Sequence, residues 1–492
     1  MLSAATEDEQ RRSVTALLPR ADLTVEQLWL DYFALGGEAG QVEVEAYVAG
    51  LMPLPALQRD LLAQAVNERL DQVAGTLRAS YSRAIREPLP DRGPLPALVH
   101  LLEGAPTGPP ERLPYLAEEA GDLLGVRVVM YLADYQQREL LPLDGRRHET
   151  REPLGIDGTL AGRAFRLLHT IGTVTDGTPR LWVPLRDGTE RLGVLDIMVS
   201  EAADLPDPLL RDQCRWMADL IGHLVTLTAR FGDALSEVRR LHSRTTAAEL
   251  VWSLLPPLTA ASNACTVAGM VEPSYAVGGD IFDYSLSGST LTVAVFDAMG
   301  HGLGGGLLSA AALSAYRAAR RNGADIFDRA TAIDDALVGH ADGEAFVTGI
   351  LADLDLRSGQ LRYLAAGHPP PMLLRNGRLV TVLPAGRRLP FGLGIGERAL
   401  GHTSLQPGDW LALYTDGVTE ARDPDGRFFG TGRLTDFLER EAASGQPAPE
   451  TLRRLIHAVL THQNGVLQDD ATVLLAHWHP HAAGADRALL SR

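Results

Sequence analysis

Lysine is absent from the 492-residue chain, and all 45 basic residues are arginine. That absence excludes chemistry needing an amine on a flexible stem: a P-loop lysine, a Schiff-base lysine, or the strand lysine of protein kinases. Cysteine is nearly absent as well. Cys214 and Cys265 lie far apart, so neither a disulfide framework nor a zinc pattern is available, which fits a reducing cytoplasm. No run approaches the ~18 apolar residues of a membrane helix, and MLSAATEDEQRR lacks an apolar signal core. A cytoplasmic location and no membrane partner are therefore expected. Cationic excess is missing too. With 62 acidic residues the formal net charge is −17, so no nucleic-acid partner is expected.

What is present suffices for several cores. An apolar fraction of 45% is ordinary for globular protein, and the length suggests roughly three domains at about 150 residues each. Apolar residues fall at helical spacing in VEQLWLDYF, VEVEAYVAGL and LQRDLLAQAVNERLDQVAG. Residues 1–88 thus read as a helical N-terminal module for docking or dimerisation. Pro88, Pro90, Pro94, Pro96, Pro106, Pro109 and Pro110 read as a semi-rigid linker around the short helix LPALVHLLEG. Residues 97–230 mix the two periodicities. ERLPYLAEEAGDLLG is helical; VRVVMYLAD, RELLPL, RLWVPLR and RLGVLDIMV are strands; Asp187-Gly188 marks a hairpin. With IDGTLAGRAF between them, this α+β order resembles a GAF domain, a fold that senses small molecules. That resemblance implies an unidentified small-molecule or protein signal; His169 alone makes no haem site. Residues 231–258 are expected to be a helical connector. Leu220, Leu224, Leu227, Phe231, Leu235, Val238 and Leu241 recur near heptad spacing. Two readings stand: a parallel coiled coil that makes a homodimer, or amphipathic helices broken at Gly232.

Residues 259–480 carry the chemistry. VGGDIFDYS holds Asp280 and Asp283, and LTVAVFDAMGHG delivers Asp297 into a glycine-rich turn with His301. DWLALYTDGVTEA ends its apolar strand at Asp416-Gly417, and LQDDATVLLA opens the last strand with Asp469-Asp470. A lone Asp-Gly usually marks an ordinary turn, but here each aspartate adjoins an apolar strand. Carboxylates converging without basic neighbours repel unless a divalent cation neutralises them. Oxygen-only ligands favour Mg²⁺ or Mn²⁺, and a pair of such ions can activate water against a phosphoryl group. Gly279, Gly300 and Gly417 are expected to let the backbone approach the metal, where a carbonyl could add a ligand.

The run VEPSYAVGGDIFDY, VFDAMGHG, AAGHPPPMLL, LPFGLG, GDWLALYTDGVTEARDPDGRFFG and QDDATVLL resembles the SpoIIE/RsbU branch of the metal-dependent (PPM, phosphatase-2C-like) serine/threonine phosphatases. The resemblance implies an α/β/β/α sandwich with a dinuclear Mn²⁺ or Mg²⁺ site. Asp280, Asp297, Asp416 and Asp469 would be the metal-associated carboxylates, Asp297 bridging and Asp280 acting through water, with the Ala298 carbonyl as a further ligand. It also implies a phosphorylated STAS-type antagonist as substrate, hence control of a sigma factor. A regulatory module that binds metal but turns over little is the alternative. No arginine occurs between Arg244 and Arg317, so the phosphate-gripping arginine of eukaryotic relatives is missing locally. His301 follows Asp297 by four residues rather than two, which favours a supporting role over general-acid work. His368, ahead of three prolines, reads as part of a rigid loop. His477, His479 and His481 read as a solvated face, and the short tail after residue 478 leaves no room for a kinase domain.

Overall fold

A computed structural model describes residues 6–73, 79, 90–147, 151–272, 275–276, 278–338, 345–394, 399–465 and 467–480. Residues 1–5, Pro88 of the linker and His481 of the tail lie outside them. The chain divides into two compact units, Met1–Pro90 and Asp91–Arg492.

In the first unit the helices are Glu7–Leu17, Val25–Ala34, Gln41–Val48 and Ala56–Val73. Glu7–Leu17 lies in the stretch read as helical although no apolar segment marks it, and its start is written locally. Thr6 accepts from the Glu9 N–H while Glu9 reaches back to the Thr6 N–H, a complete capping box. Thr24 and Gln27 repeat the device at Val25–Ala34. The apolar faces meet in a core of Val14, Leu28, Tyr32, Val44, Leu62 and Val66. Thr24→Ala should therefore cost this unit about 1 kcal/mol in denaturant unfolding; an unchanged midpoint would dismiss the cap.

The second unit begins with a six-stranded antiparallel sheet. Across it run Leu154–Gly155, Glu139–Pro142, Arg127–Ala133, Glu190–Met198, Thr178–Asp187 and Ile171–Thr175. Helices Pro94–Gly104, Leu113–Leu124 and Pro208–Thr228 pack into one core with this sheet. The short helix Leu160–Leu167 forms a separate small core with Tyr131, Ile156, Phe165, Trp182 and Val194. Ile171–Thr175 went unread because its apolar signal is weak. Its turn was legible: Asp176 and Gly177 both take positive φ, 50° and 74°, as a two-residue hairpin requires.

The heptad-like row does not form one helix. Pro208–Thr228 ends, and only the short helices Ala234–Val238 and Thr246–Leu254 follow. Leu224 and Leu235 are drawn into the core of their own sheet, whereas Phe231 is 63% exposed. At Gly232 a Cβ would come within 2.4 Å of the Pro110 ring, so the chain turns there against the linker. The broken-helix reading is the one observed, and the coiled-coil argument for a dimer falls with its seam.

The remaining strands form two facing sheets. One contains Arg387–Arg388, Gln360–Ala366, Val347–Asp355, Thr290–Ala298 and Asp280–Ser287, with Gly401–Ser404 also paired to Gln360–Ala366. The other contains Arg378–Val382, Met372–Arg375, Trp410–Tyr414, Ala471–Trp478, Cys265–Glu272 and Thr259–Ala261. Phe282 of the first sheet fills the space over Gly269 of the second, where a Cβ would sit 2.3 Å from its ring. Helices Gly302–Arg321 and Ile326–Val338 pack on the first sheet, Gly430–Ala443 and Ala448–His462 on the second. Strands covered on both faces need continuous apolar runs, which explains LTVAVF, WLALY and TVLLA. The expected helix–sheet–sheet–helix order is what is seen.

Candidate active site

Four strand ends deliver the acidic groups. Asp280–Ser287 and Thr290–Ala298 pair antiparallel, in a register that sets Asp280 directly opposite Asp297. Like charges at such a position destabilise a sheet unless something neutralises them. Asp280 is 2% exposed. Burial, then the charges of Asp297 and Asp470, hold its carboxyl well above the usual range, against a 2.7 Å hydrogen bond donated by Thr415. Burial, then Asp416, Asp469 and Asp470, pushes Asp297 up to about 7. Asp416 opens a single helical turn after Trp410–Tyr414, and burial, Glu420 and Asp469 raise its carboxyl too. Asp469 lies exposed at the corner before Ala471–Trp478. All four predicted carboxylates therefore share one electrostatic neighbourhood, built from positions 190 residues apart.

Asp470, left without a role by the sequence, holds this neighbourhood together. Its Oδ2 accepts from the backbone N–H of Gly278 and Gly279, both at 2.7 Å, and of Asp280 at 3.2 Å. One carboxylate thus ties the last strand's entrance to the loop that presents Asp280. Gly279 and Gly417 serve close approach, whereas a Cβ at Gly300 would meet nothing within 4 Å and that glycine instead takes a positive φ of 86°. A Cβ at Gly279 would come within 2.7 Å of the Ala298 carbonyl oxygen, and one at Gly417 within 1.8 Å of the Asp470 carbonyl oxygen. Gly417→Ala should cost about 3 kcal/mol, since backbone must move. Urea unfolding checks this, and a loss under 1 kcal/mol would contradict the close approach.

Thr415 and Thr348 were also missed. Thr415 Oγ1 accepts from the Thr472 N–H at 3.0 Å while donating to Asp280, so its rotamer is set from both sides. Thr348 stands opposite Asp297 in the register and reaches its Oδ2 at 3.5 Å and His368 Nδ1 at 2.8 Å. Burial pulls His368 down to about 4, so its ring is neutral and backs the carboxylate. Alternation along Val347–Asp355 was the available signal, because Thr348 interrupts an apolar run. His301 is exposed, with no side-chain hydrogen bond among the described residues. Asp283 does not join the group: Arg317 and Arg320 hold it at 2.7 and 2.8 Å. His477 is half-buried against Trp410 rather than solvated, and His479 bonds Thr266.

Among the described residues no three His, Cys, Asp or Glu side chains are drawn together tightly enough to enclose an ion as they stand. The donor set nevertheless suits hard cations. It is all oxygen, mutually repelling, and without a salt-bridged arginine at Asp280, Asp297, Asp416 or Asp469.

Residues 287–479 match the family model described as Stage II sporulation protein E (SpoIIE). This segment is a SpoIIE-type domain. Asp297, Ala298, Asp416, Asp469 and Asp470 lie inside it, and Asp280 just before it. Protein IcfG of Synechocystis sp. (strain ATCC 27184 / PCC 6803 / Kazusa) is 31% identical over 141 residues, 28% of this chain and 21% of that protein. The phosphoserine phosphatase RsbU of Bacillus subtilis (strain 168) is 22% identical over 231 residues, 46% of this chain and 68% of RsbU. The chain thus spans about a fifth of the length of the first of these relatives and two thirds of the second. Among solved structures, the RsbU and RsbW domains of Rv1364c from Mycobacterium tuberculosis are 26% identical, covering 44% of this chain and 61% of that one, with a TM-score of 0.40. The SiaA-PP2C domain of Pseudomonas aeruginosa is also 26% identical, covering 43% and 85%, with a TM-score of 0.39. The SpoIIE-type domain carries its acidic cluster at the strand ends, where both sheets contribute.

Proposed function

We propose that the chain is a metal-dependent protein serine/threonine phosphatase that hydrolyses a phosphomonoester to the free hydroxyl and inorganic phosphate. The observation carrying this reading is the shared neighbourhood in which burial and neighbouring carboxylates raise Asp280, Asp297 and Asp416, with the charge of Asp469 acting on Asp297 and Asp416. The description of RsbU as a phosphoserine phosphatase supports the same class.

Asp297, Asp416, Asp469 and the Ala298 carbonyl would hold two Mn²⁺ or Mg²⁺ ions, with Asp280 acting through water. When bound, such ions supply a hydroxide nucleophile at neutral pH and polarise the phosphoryl oxygens. The chain's own residues prepare the site. Thr415 fixes the Asp280 carboxylate, Thr348 with neutral His368 fixes Asp297, and Asp470 holds the Gly278–Asp280 loop. Arg317 and Arg320 are engaged by Asp283, so phosphate charge is balanced by metal rather than by these arginines.

The substrate we infer is the phosphoserine or phosphothreonine of a small STAS-type antagonist protein, in a sigma-factor pathway of the cytoplasm. The sheet of residues 127–198 would act as a GAF-like sensor. The test is release of phosphate from a phosphorylated STAS-type protein with Mn²⁺ and with excess EDTA. Release only with metal is expected, and equal release in both would overturn the reading.

A further inference from the structure

Helix Ala448–His462 has two working faces. Leu452, Leu455, Ile456 and Val459 pack into the core that includes Val473 and Leu475 of the Ala471–Trp478 strand. Glu450, Arg453 and His457, spaced i, i+3 and i+7, form a stripe on another face, and all three engage the 127–198 sheet and its loops. Arg453 is 1% exposed at its side chain. Its guanidinium grips Glu450 through two hydrogen bonds of 2.9 Å, donates to the Gln137 carbonyl, and donates to both carboxylate oxygens of Asp157 at 2.7 and 3.0 Å. Arg191, from the sheet, reaches back to Glu450 at 3.3 Å and to the Pro449 carbonyl at 3.0 Å.

The two carboxylate partners of Arg453 are not equivalent. Glu450 is 1% exposed, so breaking that contact would strand a buried charge, at a cost of several kcal/mol. Asp157 is 63% exposed. Freed, it turns to water and to Arg166, 3.8 Å away, and Arg453 keeps Glu450. Asp157 sits in the loop just before Thr159, which caps the small helix Leu160–Leu167 and its separate core. The other side of helix Ala448–His462 leads to Ala471–Trp478, and the carboxylate of Asp470, just before that strand, clamps the Asp280 loop.

We propose that the Asp157–Arg453 pair is a releasable latch through which the layer around Leu160–Leu167 controls the acidic site of the SpoIIE-type domain. Opening the pair loosens helix Ala448–His462 against Ala471–Trp478 and so changes how firmly Asp470 holds Asp280. The inference rests on the phosphatase reading only for its consequence in turnover.

The test uses the full chain with Asp157→Asn, which keeps the loop's shape and Arg453's bond to Glu450. Arg454→Gln, which breaks an ion pair of the same helix with Glu441 instead, is the comparison. Hydrogen exchange and Mn²⁺-dependent p-nitrophenyl phosphate hydrolysis are measured on both. Lost amide protection within Ala471–Trp478 and a kcat changed at least threefold, in Asp157→Asn alone, are expected. Protection lost only within the helix, kcat within threefold of wild type, or the same response in Arg454→Gln would each overturn the latch. Should the wild-type chain show no metal-dependent turnover, the phosphatase reading falls, and the exchange arm still decides the latch.

Discussion

Asp297→Asn abolishes metal-dependent hydrolysis of p-nitrophenyl phosphate, with kcat/KM reduced at least about 1000-fold, equivalent to about 4 kcal/mol of transition-state stabilisation. The substitution preserves shape and removes only the charge with which Asp297 would hold metal. Asp297 is the residue on which the other charges converge, since Asp416, Asp469 and Asp470 all act on it. The same change should leave the metal-free protein folded and more stable above neutral pH. In that state the wild-type carboxylate is ionised against its neighbours, whereas asparagine carries no charge. Persistence of more than a tenth of wild-type turnover in Mn²⁺ would sink the assignment of Asp297 as the central ligand.

The second large effect is a pH-dependent stabilisation by metal. Asp297 titrates near 7 in the folded chain, above the ordinary carboxyl value of 3.8. A folded pKa raised in this way means the native state holds its proton more tightly than the unfolded state. Stability is then fullest below about pH 4 and falls as pH rises to about 7, by on the order of 4 kcal/mol from this group. Asp280, Asp416 and Asp470 shift in the same direction. Bound Mn²⁺ removes the penalty by neutralising the ionised forms. Calorimetry should therefore show Mn²⁺ raising the melting temperature of the acidic domain by about 10 °C at pH 8, and far less at pH 5. An equal shift at both pH values would refute the linkage. His368 works in the opposite sense: with its pKa near 4, the stability of its neutral form is lost as pH falls from about 6.5. The metal-free protein is accordingly squeezed from both sides.

Much of this site was legible residue by residue. Asp280, Asp297, Asp416 and Asp469 each flank an apolar run, whereas a charge buried within a strand, as at Asp283, needs paired arginines. Gly279 and Gly417 were legible as points of close approach, expected to a metal; what stands against them is the Ala298 and Asp470 carbonyl oxygens. Asp470 could not be assigned, because its partners are backbone N–H groups 190 residues away. Thr348 and Thr415 escaped for the same reason: a hydroxyl beside a strand end gives no local sign of the carboxylate it will meet. The connector shows where spacing left two readings open and packing chose between them. Its apolar spacing suited a coiled coil, but the burial of Leu224 and Leu235 within their own core decided otherwise.

By itself, the sequence determined which carboxylates stand at the ends of apolar strands and which cations are missing beside them: there is no lysine, and no arginine from 245 to 316. The order of helix and strand followed from periodicity, because burying one face or two leaves distinct local patterns. Tertiary structure alone decided the pairing of Asp280 with Asp297, the clamp by Asp470, and the seating of Arg453 between Glu450 and Asp157. Those are contacts between remote segments, and their energy depends on register and desolvation, which exist only once the chain has folded.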